Sequence, residues 1–333
     1  MEAVVETLVE VRSNLIIALI VPVLIKEGVI EKIVESPKTS AQIVEGTTLN
    51  HSSLLRALHF LEANSFFRFE ESTNLWHATE RGHTLAGEDA KTLWLWHFDT
   101  RKLGFMINLG ELLYSEDQNL FQKIAGKSGF EVLNEIPDML EKFQAYMTFL
   151  TKLNSDVVCQ AIDLKDNMKI VDVGGGAGGL AIDLAKKYPE KKFAVYEIES
   201  VVPMARNNIE KHGLTEQVEV LPGSFFEAIP AGFDCILLKH IIHDWPAHRT
   251  ITILKNCRNV LNPGNRVLII DIVVDRTDKR YKRATLQDIY VFSDNTGKER
   301  TLNEFKEILS ESGFRLESVT NAKEDDIIEA IAI

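Results

Sequence analysis

The fold is decided by the stretch Val171-Asp172-Val173-Gly174-Gly175-Gly176-Ala177-Gly178-Gly179, after which Leu180 to Tyr188 follow with helical spacing. The valines predict the end of a buried strand, and the glycines allow a sharp turn in which the backbone can approach a ligand closely. Open α/β sheets bind their ligands at such strand ends, in the crevice above the turn. The stretch therefore predicts a strand, a tight turn and a helix that together form a binding site.

Beyond the turn, short β-rich runs alternate with helix-length segments over residues 163–333. The predicted strands are Lys169–Val173, Lys192–Ile198, Val218–Leu221, Asp234–Lys239 and Val267–Val274. This alternation predicts an α/β fold with a doubly wound, Rossmann-like parallel sheet. Two further runs, Phe314–Thr320 and Ile327–Ile333, have no helix between them and predict an antiparallel terminal hairpin.

The residues around the turn narrow the ligand to two classes. The spacing of Gly174, Gly176 and Gly179 also satisfies the dinucleotide-binding fingerprint, so the glycines alone leave NAD open. Asp172, however, faces the loop, where a carboxylate suits an ammonium group and would repel a pyrophosphate. Glu197 ends the second strand and suits the two hydroxyls of a ribose. The sheet also uses the rest of the chain and leaves no room for a separate catalytic domain behind it. Together with the two carboxylates, this favours S-adenosyl-L-methionine (SAM) over NAD.

A second polar group follows the fourth strand, in the run Leu238-Lys239-His240-Ile241-Ile242-His243-Asp244-Trp245-Pro246. Catalytic groups of such sheets collect at the carboxyl ends of the strands, so we expect this run to carry the chemistry. The pair His240 and His243 would also suit a metal, but no further Cys or carboxylate set at ligand spacing completes a site. We therefore expect no metal.

Residues 1–92 predict helices with capped starts at Thr39 and Asn50, followed by a hairpin of Phe66–Glu70 and Leu75–Thr79. That order suggests a winged helix, a fold that often enters DNA. The region carries eight Lys and Arg against thirteen Asp and Glu, a net charge of −5. Because this charge repels phosphates, we expect a packing role for the domain.

The composition of the whole chain bounds its partners and compartment. The formal net charge of −12 disfavours nucleic acid and anionic membranes. The three cysteines lie in or beside apolar stretches, which is typical of buried thiols in a reducing compartment, so we expect a cytoplasmic protein. The apolar run Leu15–Ile25 is shorter than the ~20 residues of a bilayer span, and we interpret it as a buried helix that packs against a second subunit.

The segment 93–162 is dense in Leu, Phe, Met and Trp and predicts several helices. We expect these helices to form a linker that builds a substrate pocket ahead of a core at residues 163–333. Phe143 and Met147 are candidates for the pocket wall, although packing in the core explains them nearly as well. The predicted domains are therefore 1–92 and 93–333.

Together these runs resemble the class I small-molecule O-methyltransferases related to the plant caffeate and flavonoid enzymes, the acetylserotonin enzymes and bacterial polyketide-tailoring enzymes. The similarity covers essentially the whole chain. Its most specific signatures are the glycine turn, His243-Asp244-Trp245 with Leu254-Lys255-Asn256-Cys257 behind it, and Gly297-Lys298-Glu299-Arg300-Thr301. The resemblance implies methyl transfer from SAM to a hydroxyl of a small aromatic acceptor in secondary metabolism, with S-adenosyl-L-homocysteine (SAH) as the second product.

The resemblance also implies roles for individual residues. His243 is the general base, and Glu299 and Glu329 orient its imidazole. Asp244 contacts the substrate, and the N-terminal domain forms a homodimer. The implied cofactor contacts are Gly174, Glu197, Ser224, Phe225 and Lys239, to which the turn itself adds Asp172 and Gly176.

Some features leave alternatives open. Ser224 stands where the family usually has an aspartate that contacts the adenine amino group, and serine is a weaker acceptor. Some homologues keep SAM but catalyse pericyclic, decarboxylating or hydroxylating chemistry, although a base with two acids favours methyl transfer. A winged-helix regulator with SAM as its effector is a further alternative, which salt-sensitive DNA binding would support.

Overall fold

The computed structural model describes residues 2–114, 119–127, 129–164 and 168–333. The chain divides into two compact units, Met1–Ile107 with Ile136–Phe149, and Asn108–Glu135 with Leu150–Ile333. A long helix, Pro137–Ala161, begins in the first unit and ends in the second. The boundary between the units thus falls within the segment that the sequence predicts to be a helical linker.

The first unit is mainly helical and contains one hairpin. Its helices are α1 (Glu2–Lys26), α2 (Val29–Glu35), α3 (Ser40–Val44), α4 (His51–Ala63), α5 (Glu80–His83), α6 (Glu88–His97) and α7 (Thr100–Met106). Strands β1 (Phe67–Glu70) and β2 (Leu75–Ala78) pair antiparallel, as predicted. Thr39 and Asn50 cap α3 and α4 through their side chains, which confirms both predicted helix starts.

Helix α1 extends well beyond the apolar run Leu15–Ile25 that marks it in the sequence. Ile17 and Val21 on one face are buried, whereas Leu15 and Leu19 on another are about half exposed, so the single chain buries one face of the helix and the packing of the other face against a second subunit stays a prediction. The helix is long and apolar enough to cross a membrane by length and composition alone, which is weak evidence because core helices have the same properties.

The second unit is built on a seven-stranded sheet, which confirms the predicted fold class. Its strands are β3 (Ile170–Val173), β4 (Phe193–Glu197), β5 (Val218–Pro222), β6 (Cys235–Lys239), β7 (Arg266–Asp271), β8 (Phe314–Ala322) and β9 (Asp325–Ala332). Their order is β5-β4-β3-β6-β7-β9-β8. The pairs from β5 to β7 are parallel, and β9 and β8 join antiparallel as the predicted terminal hairpin.

Helices accompany the strands in the predicted alternation. Those between the strands are α11 (Gly179–Lys187), α12 (Val202–Lys211), α13 (Ala247–Val260), α14 (Tyr281–Asn295) and α15 (Leu302–Glu311), whereas α8 (Leu120–Ala125), α9 (Gly129–Glu135) and α10 (Pro137–Ala161) precede the sheet in the chain. Two 3₁₀ helices, Leu109–Tyr114 and Ile242–Asp244, complete the unit. The second 3₁₀ helix directly follows the carboxyl end of β6 and carries the His-Asp sequence.

Two apolar clusters form the core of this unit, as a doubly wound sheet requires. Successive strand residues join different clusters, because side chains alternate across a sheet. Leu237 packs with α11 and α12, whereas Leu238 packs with α13 and α15. The parallel strands therefore bring the carboxyl ends of β3, β4, β6 and β7 to one edge of the sheet, where the candidate site lies.

Candidate functional site

The glycine turn after β3 adopts a backbone conformation that other residues rarely adopt. Gly174 and Gly176 have φ angles of 70° and 56°. A Cβ at Gly174 would collide with the side chain of Ile241, and the Gly174 N–H donates to the carbonyl of Tyr196 at 2.8 Å. Nothing lies within 4 Å of a Cβ built on Gly176, so the turn is open there. The sequence needs glycine at Gly174 for both space and conformation.

Two carboxylates flank this turn. Asp172 is 2% exposed, and its Oδ1 has no hydrogen-bond partner within the described residues. Burial raises the pKa of Asp172 to about 7, which Glu197 reinforces and Lys239 opposes. Glu197 accepts hydrogen bonds from the backbone of Gly176 at 3.1 Å and of Ile198 at 2.7 Å, although burial still raises its pKa. Both acids therefore lie where a ligand cation or hydroxyl would stabilise them.

These residues fit SAM. The unpaired oxygen of Asp172 suits a buried ammonium group, because a buried carboxylate without a partner is costly. Glu197 beside the open turn can accept hydrogen bonds from ribose hydroxyls. Lys239, the last residue of β6, is an ammonium suited to a ligand carboxylate, and burial lowers its pKa. A pyrophosphate would instead meet two acids in this crevice.

The segment after β5 is tied to helix α13. The Ser224 hydroxyl accepts from the backbone of Phe226 at 3.3 Å. Asn256 donates from its side chain to the carbonyls of Phe225 and Phe226 at 2.9 and 3.1 Å. The Leu-Lys-Asn-Cys sequence on α13 therefore fixes the backbone around the candidate cofactor residues. The ring of Trp245, from the His-Asp-Trp sequence, meets Phe226 edge-on at 4.7 Å between centroids.

The candidate base lies among three carboxyl groups. His243 is in the 3₁₀ helix after β6, and its Nδ1 lies 2.8 Å from Glu299 Oε1 and 3.7 Å from Asp271 Oδ1. Its Nε2 lies 3.7 Å from Asp244 Oδ1. The bond to Glu299 favours the tautomer with the proton on Nδ1, which leaves the Nε2 lone pair available to accept a proton.

The Gly-Lys-Glu-Arg-Thr sequence fixes the backbone on which His243 lies. The Lys298 N–H donates to the carbonyl of His243 at 2.8 Å, and a Cβ at Gly297 would collide with that carbonyl. Arg300 donates to the carbonyls of Ile242 at 2.9 Å and Trp245 at 2.7 Å. The two sequence signatures therefore form one unit, in which the Lys298 N–H and the Arg300 side chain hold the backbone around the histidine and Gly297 leaves room for its carbonyl.

The ionisable groups around His243 shift one another's pKa. Burial lowers the pKa of His243, but Glu299, Asp271 and Asp244 outweigh it and raise the pKa above its usual range. Burial raises the pKa of Asp271 to about 8 and that of Asp244 to about 6. Both oxygens of Asp271 and Oε2 of Glu299 have no hydrogen-bond partner within the described residues. The protonated imidazole of His243 is the cation that lies beside both Asp271 and Glu299.

The structure does not bring Glu329 to His243, so the expectation that it orients the imidazole is wrong. Glu329 pairs with Leu268 in the β7–β9 ladder and accepts from Arg266 at 2.8 Å, at the amino end of β7. Asp271, at the carboxyl end of β7, is the second carboxylate beside His243. The sequence analysis missed it, although a polar residue that ends an apolar strand is the signal that could have found it.

Other predicted residues lie elsewhere or stay predictions. Phe143 and Met147 are on α10 in the first unit, where Phe143 packs against Trp96 at 5.2 Å between ring centroids. Their contact with substrate stays a prediction. Within the described part of the chain, no group of three His, Cys, Asp or Glu could hold a metal ion, and His240 and His243 stack their rings 5.5 Å apart.

The chain resembles known proteins in both sequence and structure. The model of a family described as an O-methyltransferase domain matches residues 107–315. The chain is 28% identical to a mitomycin biosynthesis 6-O-methyltransferase of Streptomyces lavendulae, over 89% of this chain and 84% of the relative. It is 26% identical to a 2,7-dihydroxy-5-methyl-1-naphthoate 7-O-methyltransferase of Streptomyces carzinostaticus, over 92% of this chain and 91% of that enzyme.

Solved structures match over nearly the full length. The mitomycin 7-O-methyltransferase MmcR superposes with a TM-score of 0.92 at 26% identity, covering 100% of this chain and 98% of that one. The O-methyltransferase NcsB1, solved with SAM and 2-hydroxy-5-methyl naphthoic acid, superposes with a TM-score of 0.83 at 25% identity, covering 95% and 96%. The same enzyme has been solved with SAH and 1,4-dihydroxy-2-naphthoic acid.

Proposed function

The chain belongs to the SAM-dependent small-molecule O-methyltransferases, and from this premise we propose that it methylates a hydroxyl of a small aromatic acceptor with His243 as the general base. The acceptor is phenolic or polyketide-like, and the reaction is part of secondary metabolism. The observation that carries the proposal is the 2.8 Å contact between His243 Nδ1 and Glu299, with Asp271 on the same side of the ring.

His243 supplies the base that the acceptor hydroxyl needs. A phenolic hydroxyl has a pKa near ~10 and is a poor nucleophile at neutral pH, so a positioned base must take its proton. Nε2 of His243 accepts that proton while Glu299 holds Nδ1. Glu299 and Asp271 then stabilise the imidazolium, because they lie within 4 Å of the nitrogen that keeps its own proton. Asp244, beside Nε2, orients the acceptor hydroxyl.

The crevice above β3 holds the cofactor in this proposal. SAM supplies an electrophilic methyl group on a sulfonium. Asp172 binds the ammonium of its methionine portion and Lys239 the carboxylate, while Glu197 accepts hydrogen bonds from the ribose. Ser224 and Phe225 contact the adenine, and the backbone at Gly174 and Gly176 allows close approach. Much of the acceleration then comes from positioning of the two reactants.

The acceptor class rests on the relatives and on the predicted pocket wall. The relatives' names specify naphthoate and mitomycin compounds, and NcsB1 was solved with naphthoic acids. Phe143 and Met147 offer flat and flexible apolar surfaces that suit an aromatic ring. We propose that both contact the acceptor.

Incubation of the protein with SAM and a panel of hydroxylated naphthoates, anthraquinones and simple phenols tests the proposal. We expect at least one acceptor to gain the mass of one CH2, together with an equal amount of SAH. Aniline and thiophenol analogues of any accepted phenol serve as controls for the attacking atom. SAM that stays unconsumed while an acceptor is converted would contradict the proposal and favour chemistry other than methyl transfer.

The proposal includes a homodimer formed by a winged-helix-like domain at residues 1–92, with the methyltransferase domain at 93–333. Apolar side chains on α1 are exposed at intervals of three or four residues, at Val4, Leu8, Val11, Leu15 and Leu19. Such a stripe is typical of a helix that packs against a partner. We expect Leu8→Glu with Leu15→Glu to give a monomer by light scattering, whereas Glu10→Gln on the same helix keeps the dimer. A monomeric parent protein would contradict this part of the proposal.

A further inference from the structure

A row of buried polar side chains connects the candidate cofactor lysine to strand β9. Lys239 Nζ lies 3.3 Å from Nδ1 of His240, and His240 Nε2 lies 3.0 Å from Asp325 Oδ1. The other oxygen of Asp325 accepts from the side chain of Asn154 at 3.0 Å. Asn154 and Asp325 are 2% and 4% exposed. The row thus runs from the crevice to the first residue of β9, and none of its members except Lys239 has a role in the proposed reaction.

The partners of His240 determine its tautomer. An ammonium has only hydrogens to donate, so Nδ1 must accept from Lys239. Nε2 then carries the proton and donates it to Asp325, whose pKa is held well below its usual range by His240 and Lys239 against the effect of burial. His240 is therefore a neutral ring. Its bond to the fixed carboxylate of Asp325 orients the ring, and the ring in turn sets the direction in which Nδ1 accepts from Lys239. One of the three ammonium hydrogens is used in this way, and two are left for a ligand.

The backbone at His240 is strained in a way that makes this contact possible. Its φ is 53°, in the left-handed region that residues other than glycine rarely adopt. Successive side chains of a strand point to opposite faces, so the side chains of Lys239 and His240 would point apart if β6 continued. The left-handed conformation breaks the alternation. The His240 N–H still donates to the carbonyl of Ile270 at 3.0 Å, which fixes the residue to β7.

We propose that His240 is a positioning residue for cofactor binding, which directs the ammonium of Lys239 toward the carboxylate of SAM and is itself held by Asp325 and Asn154. His240 touches neither reactant. Its ring also stacks on that of His243, so the same residue links the cofactor lysine to the base. The inference rests on the proposed cofactor site, and the test below separates the two.

Two substitutions separate the contacts of the ring. His240→Asn places an amide oxygen near the position of Nδ1 and keeps an acceptor for Lys239, and asparagine also tolerates the left-handed backbone. His240→Gln places its amide near Nε2, where it keeps the bond to Asp325 and loses the acceptor for Lys239. Calorimetric titration with SAH measures the effect without catalysis. We expect His240→Gln to raise the Kd about tenfold, as the loss of one hydrogen bond to a charged group does, and His240→Asn to raise it less than about threefold.

Three controls make the outcome decisive. His83→Gln changes an exposed histidine of the first unit and should leave the Kd unchanged. Lys239→Met removes the ammonium, and in that background His240→Gln should have no further effect on the Kd. Thermal unfolding of each variant shows whether it is folded. Equal Kd values for folded His240→Gln and His240→Asn would overturn the inference, whereas a parent protein that does not bind SAH would overturn the proposed cofactor site instead.

Discussion

An acid lies at each end of strand β7, in contrasting surroundings: partly exposed Glu329 of the neighbouring strand β9 at the amino end, and buried Asp271 of β7 itself at the carboxyl end. At the amino end, Glu329 accepts from Arg266 at 2.8 Å and from Ser318 at 3.3 Å. At the carboxyl end, Asp271 is fully buried and neither of its oxygens has a hydrogen-bond partner within the described residues. The nearest basic group to Asp271 is the imidazole of His243. One acid is thus neutralised by a permanent cation, and the other lies beside a group that can gain and lose a proton.

The difference shows how stability and function divide along one strand. A carboxylate paired with a buried arginine satisfies the charge of both groups in the folded protein, whereas unpaired buried acceptors are costly and persist mainly at functional sites. Changes at the carboxyl end of β7 should therefore reduce turnover, and changes at the amino end should reduce stability.

The largest effect on turnover is expected at the histidine itself. We expect His243→Ala to lower kcat by about 10²- to 10⁴-fold, because the acceptor hydroxyl loses its positioned base. The affinity for SAH should be unchanged by calorimetry, since His243 lies outside the proposed cofactor contacts. His248→Ala, at an exposed histidine of α13, is the matched control. Normal turnover in His243→Ala would show that His243 is not the general base.

Glu299 should come next. Glu299→Gln keeps the shape of the side chain but replaces the charge that stabilises the imidazolium, and we expect kcat to fall about 10- to 100-fold. The melting temperature should fall, because the buried imidazolium of His243 loses the carboxylate that lies 2.8 Å from its Nδ1. Steady-state kinetics and thermal unfolding measure the two effects. Glu307→Gln on the exposed face of α15 provides the comparison, and a large loss of stability without loss of turnover would reverse the interpretation.

Asp271→Asn should have a smaller effect that depends on pH. Burial raises the pKa of Asp271 and the imidazolium of His243 opposes that shift, so the carboxyl group gains its charge at a higher pH than an ordinary aspartate. We expect kcat to fall roughly threefold to tenfold at pH 7. The loss should grow as the pH rises above 7, because the parent side chain then gains more of the charge that asparagine lacks. A loss that does not change with pH would show that Asp271 acts through packing alone.

The smallest effect on turnover is expected for Glu329→Gln, with kcat within about twofold of the parent. The free energy of unfolding should instead fall by about 1–3 kcal/mol, because Arg266 stays buried beside a weaker acceptor. Chemical denaturation measures this loss, with Glu317→Gln on the exposed face of β8 as the control. A drop in kcat as large as that of Glu299→Gln would show that Glu329 contributes to catalysis.

The contrast between the two ends also explains what the sequence predicts and what it leaves undetermined. The strand alternation and the glycine turn depend on local patterns, and both are present in the structure. The position of Glu329 depends on the register between β7 and β9, in which Leu268 faces Glu329 and Asp271 faces Asp326. No local pattern specifies such a register, so the resemblance implied Glu329 of β9, which lies toward the amino end of β7, in place of Asp271 at the carboxyl end of β7.

Two other features escaped sequence analysis for similar reasons. The left-handed conformation of His240 accompanies contacts with β7 and with an aspartate 85 positions away, and the mild preference of histidine for positive φ is too weak to predict it from the sequence. The extent of α1 was underestimated because Glu2, Glu6 and Glu10 interrupt the apolar pattern. Since all three are exposed in the structure, they do not interrupt the helix.

The pH dependence of kcat/KM in the parent and in Glu299→Gln tests most directly whether His243, held by carboxylates, is the base. The acids raise the pKa of His243, so its neutral form increases only as the pH rises above the ordinary histidine value of ~6.5. We predict that the acid limb of the parent profile lies above that value and moves to lower pH in Glu299→Gln, because the imidazolium loses its main stabilising charge. An acid limb that Glu299→Gln leaves in place would contradict the account.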